Sequence, residues 1–205
     1  MKHYASPTTT LDLEAAAQAH PILHRYFDGA YPLDALSTLS VVGRPRHLIY
    51  NLSPSTRPPG THWISIWLGE DLSVEVVDSF GRRPTSPEVI GFIRRHGSQS
   101  RYAAKQIQNW TSNVCGLYCL SHGLARACGQ PLSSWLDRYT KDLGGNDRAV
   151  QCEFMRELAF PSLFSPRLRH WRQAVARACS SISSAADAKR AGCRSSKNRA
   201  KKLTL

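Results

Sequence analysis

The sequence predicts a single domain in which a short β-rich block precedes a series of helices. Residues 47–80 are rich in Val, Ile and Trp and are broken by Pro and Gly, as expected for short strands joined by turns. Later segments show apolar residues at helical spacing. A length of 205 residues with 41% apolar residues suits one domain with a real core.

The β-rich block follows a less regular N-terminal part. Residues 11–19 are Ala-rich, follow Thr9 and Thr10 as caps and predict a short helix. Residues 26–46 contain Pro32, Gly43 and Pro45, which predicts irregular structure. Three strands are then predicted, and the last two form an antiparallel hairpin. The predicted strands cover residues 47–52, 62–68 and 73–80.

Helices dominate the second half. A helix over residues 86–96 has Ser86 as cap and Pro87 at its first position. A strand is expected over residues 104–108. The clearest helix starts near Cys115 and ends at Gly129, a favourable residue just past a helix end. Two further helices are predicted at residues 133–143 and 146–159, and a basic helix could form at residues 166–179.

The net charge of +12 is concentrated at the C-terminus. Residues 166–205 hold 11 Lys and Arg against one acid, Asp187, whereas residues 1–165 are nearly neutral. We therefore expect a protein domain over residues 1–165 and a basic segment over residues 166–205 that is largely disordered after about residue 180. Such a segment favours polyanions, above all nucleic acid.

No secretory signal or membrane segment is expected, since no apolar run approaches the length of a bilayer span. The six cysteines are absent from the first 114 residues and mostly lie in helical patterns, which predicts reduced thiols inside the cell. No C-x-x-C pair occurs, so a zinc site is not expected.

Three short motifs carry candidate chemistry. Cys115 lies at the start of its helix, where unpaired N–H groups and the helix dipole stabilise a thiolate and a developing oxyanion. His62 and Asp78 lie on neighbouring strands of the predicted hairpin, as a general base and the group that orients it require. Gln108 or Gln106, upstream of Cys115, could donate a second hydrogen bond to the oxyanion.

Taken singly, each of these residues has a bland interpretation. Cysteine is often a buried structural residue, and Asp78 followed by Ser79 also suits a turn. The combination favours a cysteine nucleophile, Cys115, activated by His62 and oriented by Asp78.

The order His, acid, Gln, Cys resembles the adenovirus protease (adenain) family. The resemblance covers about residues 20–160 and is closest to the adenain-like proteases of adintoviruses and Polinton-type elements. It rests on these strings: Gly60-Thr61-His62-Trp63, Asp78-Ser79-Phe80-Gly81, and Thr111-Ser112-Asn113-Val114-Cys115-Gly116-Leu117-Tyr118-Cys119, with Gln108 seven residues before Cys115.

The resemblance implies an α+β fold, papain-like in permuted order, with a central mixed sheet packed against the nucleophile helix. It implies His62 as base, Asp78 as orienting acid, Gln108 rather than Gln106 as oxyanion donor and Cys115 as nucleophile. It further implies a cysteine endopeptidase that matures viral structural precursors at Gly-containing sites, in the virion and the host nucleus.

Cofactors and partners follow from the same resemblance. We expect no metal cofactor. We expect DNA, a short basic peptide or both to act as activator, and the protein to be a monomer that does not bind membranes. Adenain has Glu where this chain has Asp78. Its activating peptide forms a disulfide with a Cys that precedes the nucleophile, and no Cys precedes Cys115 here. Cys193 in the basic segment could act as such a peptide in cis.

Two alternatives remain open at this point. A Ulp-type protease that removes SUMO or ubiquitin shares the same motifs, although Asp usually precedes its Cys where this chain has Val114. The other alternative is a non-enzymatic DNA-binding virion protein on a protease fold, which the intact set of four residues disfavours.

Overall fold

The fold is built on one five-stranded mixed sheet in the order β1-β2-β3-β4-β5. The computed structural model describes residues 9–57 and 60–157 of the chain. Strands β2, β3 and β4 form an antiparallel meander, and β1 and β5 add to its two edges in parallel. The strands are β1 Phe27–Tyr31, β2 Arg46–Asn51, β3 Trp63–Leu68, β4 Ser73–Val77 and β5 Gln99–Tyr102.

Helices cover both faces of this sheet, so the three central strands are buried almost throughout. One apolar cluster joins the sheet to the face formed by α1, α3 and α5, and a second joins it to α2 on the other face. The helices are α1 Thr10–Ala19, α2 Pro87–His96, α3 Cys115–Ala127, α4 Leu132–Leu136 and α5 Leu143–Glu157.

Several predicted elements are confirmed. The hairpin of β3 and β4 is antiparallel, with Ser65 paired to Val77. Helix α1 begins with a capping box in which Thr9 and Asp12 exchange side-chain and backbone hydrogen bonds. Helix α3 begins at Cys115, and Gly129, just beyond its end, has a φ of +79°.

Other predicted elements are wrong. Residues 26–46 contain β1 and a short 3-10 turn instead of being irregular throughout. The strand expected over residues 104–108 is absent there, and β5 lies earlier on a polar, mostly exposed stretch. Ile107, buried in that irregular stretch, gave it the apolar character of a strand.

The helix predicted over residues 133–143 ends early. α4 stops at Leu136, and α5 begins at Leu143 rather than at Asn146. The Asn146 side chain receives the Thr140 N–H at 2.9 Å and donates to the Thr140 carbonyl at 2.9 Å. These bonds satisfy backbone groups that a continuous helix would have paired, so the chain turns here.

The cysteines differ in part from the expected reduced state. Cys115 and Cys119 are free, but Cys128 at the end of α3 and Cys152 in α5 are disulfide-bonded. Helical position does not prevent cross-linking when helices pack together, as α3 and α5 do. Cys179, Cys193 and the basic segment over residues 166–205 lie outside the described residues.

A buried polar chain crosses the interface between the sheet and α3. Ser65 Oγ lies 2.8 Å from His47 Nε2 and 2.8 Å from His122 Nδ1. The other nitrogen of His122 lies 3.7 Å from Glu75, which also pairs with Arg126 at 2.9 Å. These contacts link β2, β3 and β4 to α3 inside an otherwise apolar core.

Burial favours the neutral form of both His47 and His122 in the folded protein. Burial lowers the pKa of His47 well below its usual value, and the neighbouring His122 lowers it further. Burial also lowers the pKa of His122, although Glu75 partly opposes the effect. The unfolded chain therefore binds more protons than the folded protein once the pH falls below about 6.5.

We expect the free energy of unfolding to fall as the pH is lowered from 7 to 5. Each of His47 and His122 contributes up to about 1.4 kcal/mol per pH unit. Chemical denaturation at several pH values measures the slope. His122→Asn should flatten it, and His24→Asn, a change at an exposed histidine, should not. A slope that His122→Asn leaves unchanged would contradict this account.

Candidate active site

His62 follows a loop whose two ends are held together by the side chain of Asn51, the last residue of β2. Asn51 Oδ1 accepts the N–H groups of Ser53 at 2.8 Å and Thr61 at 3.1 Å, bridging the two ends of the loop. A side chain at Gly60 would collide with the Asn51 amide. His62 therefore leaves the loop at a fixed point, immediately before β3, and is buried.

Asp78 lies one residue beyond β4, in a tight turn. Its Oδ1 accepts the N–H of Phe80 at 2.8 Å and faces His62 Nε2 at 2.7 Å. The turn closes when Gly81 N donates to the Asp78 carbonyl at 2.8 Å. Gly81 has a φ of +72°, and a Cβ there would lie 2.7 Å from the backbone nitrogen of Gln106. This glycine fixes the direction of the carboxylate.

Cys115 is the first residue of α3 and its side chain hydrogen-bonds the imidazole of His62. Since Nε2 of that ring faces Asp78, Nδ1 is the nitrogen left for the thiol. Val114 precedes the helix and offers no side-chain acceptor to its first N–H groups. Those groups can therefore serve an anion at the sulfur.

The charge state of His62 reflects its two partners. Burial lowers the pKa of His62, but its hydrogen bonds with Asp78 and Cys115 and the charges of both outweigh burial. The net effect raises the pKa of His62 to about 9. The two partners thus favour the protonated form of the His62 imidazole at neutral pH.

Gln108 is fully buried beside this group and joined to it through Ser79. The Ser79 hydroxyl donates to Gln108 Oε1 at 2.5 Å, which orients the amide. Gln108 Nε2 points to Ser112, 2.9 Å from its carbonyl and 3.2 Å from its hydroxyl. The alternative, Gln106, donates its own amide to the Gln108 carbonyl at 3.0 Å. Gln106 thus braces the backbone of its neighbour.

Of the four predicted site residues, His62, Asp78 and Cys115 form one hydrogen-bonded chain. Gln108 is linked to this chain through Ser79, the residue after Asp78.

Sequence reasoning missed a brace that α5 applies to the segment carrying Gln108. The Ile107 carbonyl accepts Tyr118 Oη at 3.0 Å and Asn146 Nδ2 at 3.1 Å. Asp147 shares the single Tyr118 hydroxyl hydrogen with that carbonyl, lying 2.9 Å from Tyr118 Oη, and accepts the Asn109 N–H at 3.4 Å. An Asn-Asp pair within a helical segment carries no sequence signal for this contact across 38 residues.

The Asp147 carboxyl is buried beneath this segment. Burial raises the pKa of Asp147, and its hydrogen bonds with Ser112 and Tyr118 offset only part of that rise. Removing its acceptor oxygens would leave buried donors without partners, which costs about 1–3 kcal/mol each.

An aromatic stack covers the imidazole. Phe80 lies against His62 with ring centroids 4.6 Å apart and nearly parallel planes. Trp110 stacks on Phe80 at 4.6 Å. Trp110 is 53% exposed, so the stack leads from the buried imidazole to the protein surface.

Within residues 9–57 and 60–157, no group of three or more His, Cys, Asp or Glu is placed to hold a metal ion. The helices of that part of the chain include none with both the length and the apolar character needed to span a bilayer.

Comparison with solved structures finds a likeness to the ASFV pS273R protease, known from a crystal structure. The TM-score is 0.52 at 16% sequence identity, and the alignment covers 80% of this chain and 68% of that one. No protein-family model matches the sequence, and no curated protein does. The structure confirms the predicted α+β fold, with its central mixed sheet against the helix that bears Cys115, and the likeness shows that a solved viral protease shares this fold.

Asp147→Asn should loosen the segment before α3. Asn lacks the second acceptor oxygen, so the Asn109 N–H loses its partner. We expect amide hydrogen exchange of residues 107–114 to accelerate about ten-fold, equivalent to about 1.4 kcal/mol of local stability. Exchange in β3 and β4 should not change. The exposed Asp137→Asn is the control, and equal acceleration throughout the protein would contradict a local brace.

Proposed function

We propose that the protein is a cysteine endopeptidase with Cys115 as nucleophile, His62 as general acid and base, and Asp78 as the group that orients His62. One observation carries this proposal. The His62 imidazole is hydrogen-bonded on one side to Asp78 at 2.7 Å and on the other to Cys115, at the start of a helix. The likeness to a viral protease adds support at the level of the fold.

In the proposed reaction, the Cys115 sulfur attacks the carbonyl carbon of the scissile peptide bond. His62 holds the proton that the thiol has given up and delivers it to the departing amine. The carbon–nitrogen bond then breaks and leaves a thioester. A water molecule, deprotonated by His62, attacks the thioester carbon. The carbon–sulfur bond then breaks, the new carboxyl end is released, and His62 returns the proton to the sulfur.

Two sets of hydrogen-bond donors would stabilise the negative charge that develops on the substrate oxygen. The uncapped N–H groups at the start of α3 provide one. The Gln108 amide provides the other, through the N–H that faces the Ser112 hydroxyl at 3.2 Å. Ser79 fixes the amide oxygen, so the amide keeps its orientation while this N–H exchanges the Ser112 hydroxyl for the substrate oxygen.

We propose Asp78 as a positioning residue. Its bond to Phe80 N holds the carboxylate still, and the carboxylate holds His62 in one tautomer and one ring orientation. Phe80 stacks on the ring and keeps water from that face.

The adenain resemblance suggests viral precursor proteins as substrates, cut at Gly-containing sites, and DNA as a partner of the basic segment at residues 166–205. These assignments are proposals. DNA or a short basic peptide as activator is a further proposal from the same resemblance.

Variants of the three residues test the mechanism. We expect Cys115→Ala and His62→Ala to lose cleavage of a quenched Gly-containing peptide by a factor of about 10³ or more, and Asp78→Asn by about 10²–10⁴. A thiol-reactive probe should label Cys115 in the wild type. SUMO and ubiquitin probes run in parallel identify a deconjugating enzyme instead.

Cys119→Ala is the matched control, because Cys119 is a free, buried cysteine one turn farther along α3. Burial raises the pKa of Cys119 well above its usual value, which keeps it an unreactive thiol. This variant should retain activity within about three-fold. Full activity in Cys115→Ala would overturn the mechanism.

A further inference from the structure

An exposed aromatic surface adjoins the proposed catalytic group. Trp110 lies five residues before Cys115, and its indole reaches the imidazole of His62 through Phe80 in two stacking steps of 4.6 Å. The Trp110 side chain is 53% exposed. Because Trp110 lies beside His62 and Cys115, a peptide bound at these two residues could contact its indole.

Arg82 lies over the same surface. Its guanidinium carbon is 4.8 Å from the centre of the Trp110 ring and 5.5 Å from that of Phe80. The side chain is exposed, and within residues 9–57 and 60–157 no carboxylate forms an ion pair with it. The rings orient the cation while leaving its N–H groups open to a ligand.

We propose that Arg82, Phe80 and Trp110 form a substrate subsite that selects an acidic side chain close to the scissile bond. The inference rests on the proposed function. A planar guanidinium matches a carboxylate with two parallel hydrogen bonds, and the indole supplies flat contact area beneath the substrate chain. An ammonium group at this point would meet a like charge.

The distance between the His62 imidazole and the outer end of the aromatic stack determines which substrate residue can contact the subsite. Two ring separations of 4.6 Å place the far end of the stack about 9 Å from the imidazole. An extended peptide advances about 3.4 Å per residue, so the acidic side chain belongs within about three residues of the cut.

The neighbouring Arg83 offers a matched control. It carries the same charge and is also exposed, but its guanidinium lies over Tyr102, 5.6 Å from that ring, at the end of β5. A general effect of surface charge would respond equally to either arginine, whereas a subsite on Trp110 responds to Arg82 alone.

Quenched peptides built on one Gly-containing parent test the subsite. Each carries Glu, Gln or Lys at one of the three positions on either side of the cut. We expect the wild type to prefer Glu over Gln about ten-fold in kcat/KM at one position, mainly through KM. Arg82→Gln should reduce this ratio to within about two-fold, and Arg82→Glu should shift the preference towards Lys. Arg83→Gln should keep the wild-type ratio.

Two failures are distinguishable. If the wild type cleaves no peptide and no thiol probe labels Cys115, the proposed peptidase function fails. If it cleaves peptides with a Glu-to-Gln ratio that Arg82→Gln does not alter, the subsite fails and the function stands. Binding of the same peptides to Cys115→Ala, followed by calorimetry, reads the subsite without turnover. Equal affinity for Glu and Gln peptides at every position would overturn it.

Discussion

The alignment of α3 alongside β3 is the constraint on which the candidate site depends. Two side-chain contacts cross this interface: Ser65 with His122 in the core, and His62 with Cys115 at its edge. Three strand residues separate His62 from Ser65, about 10 Å. Seven helical residues separate Cys115 from His122, about 10.5 Å. Because the two intervals match, one alignment of helix and strand forms both contacts at once.

The buried polar chain enforces this alignment more strictly than apolar packing would. If α3 shifted along the sheet, His122 and the Ser65 hydroxyl would lose their hydrogen-bond partners inside an apolar interior. Each unpaired group would cost about 1–3 kcal/mol. Tyr118, which lies between Cys115 and His122 on α3, fixes the helix further through the hydrogen bond of its hydroxyl with Asp147 in α5. Cys115, the proposed nucleophile, is therefore positioned by groups that take no part in the proposed chemistry.

The sequence was informative where local pattern determines structure. The β3–β4 hairpin is predicted from two apolar runs on either side of a turn, and α3 is predicted from its apolar stripe. These two elements carry or adjoin His62, Asp78 and Cys115, so the three residues could be identified as a set. Parallel edge strands are different, because β1 and β5 depend on partners elsewhere in the chain and their own residues carry weak signals. Asp147 and the disulfide-bonded Cys128 and Cys152 likewise depend on how α5 packs, which a single sequence does not reveal.

We propose that Asp78 and Cys115 together hold His62 as an imidazolium. Titration of the His62 ring nitrogens by NMR in the intact wild-type protein measures this directly. We expect the pKa of His62 to be raised to about 9 in the wild type. We expect it to fall in Cys115→Ala and in Asp78→Asn, because each variant removes one of the groups that raise it. Titration of wild-type His62 near or below 6.5, unchanged in both variants, would contradict the account.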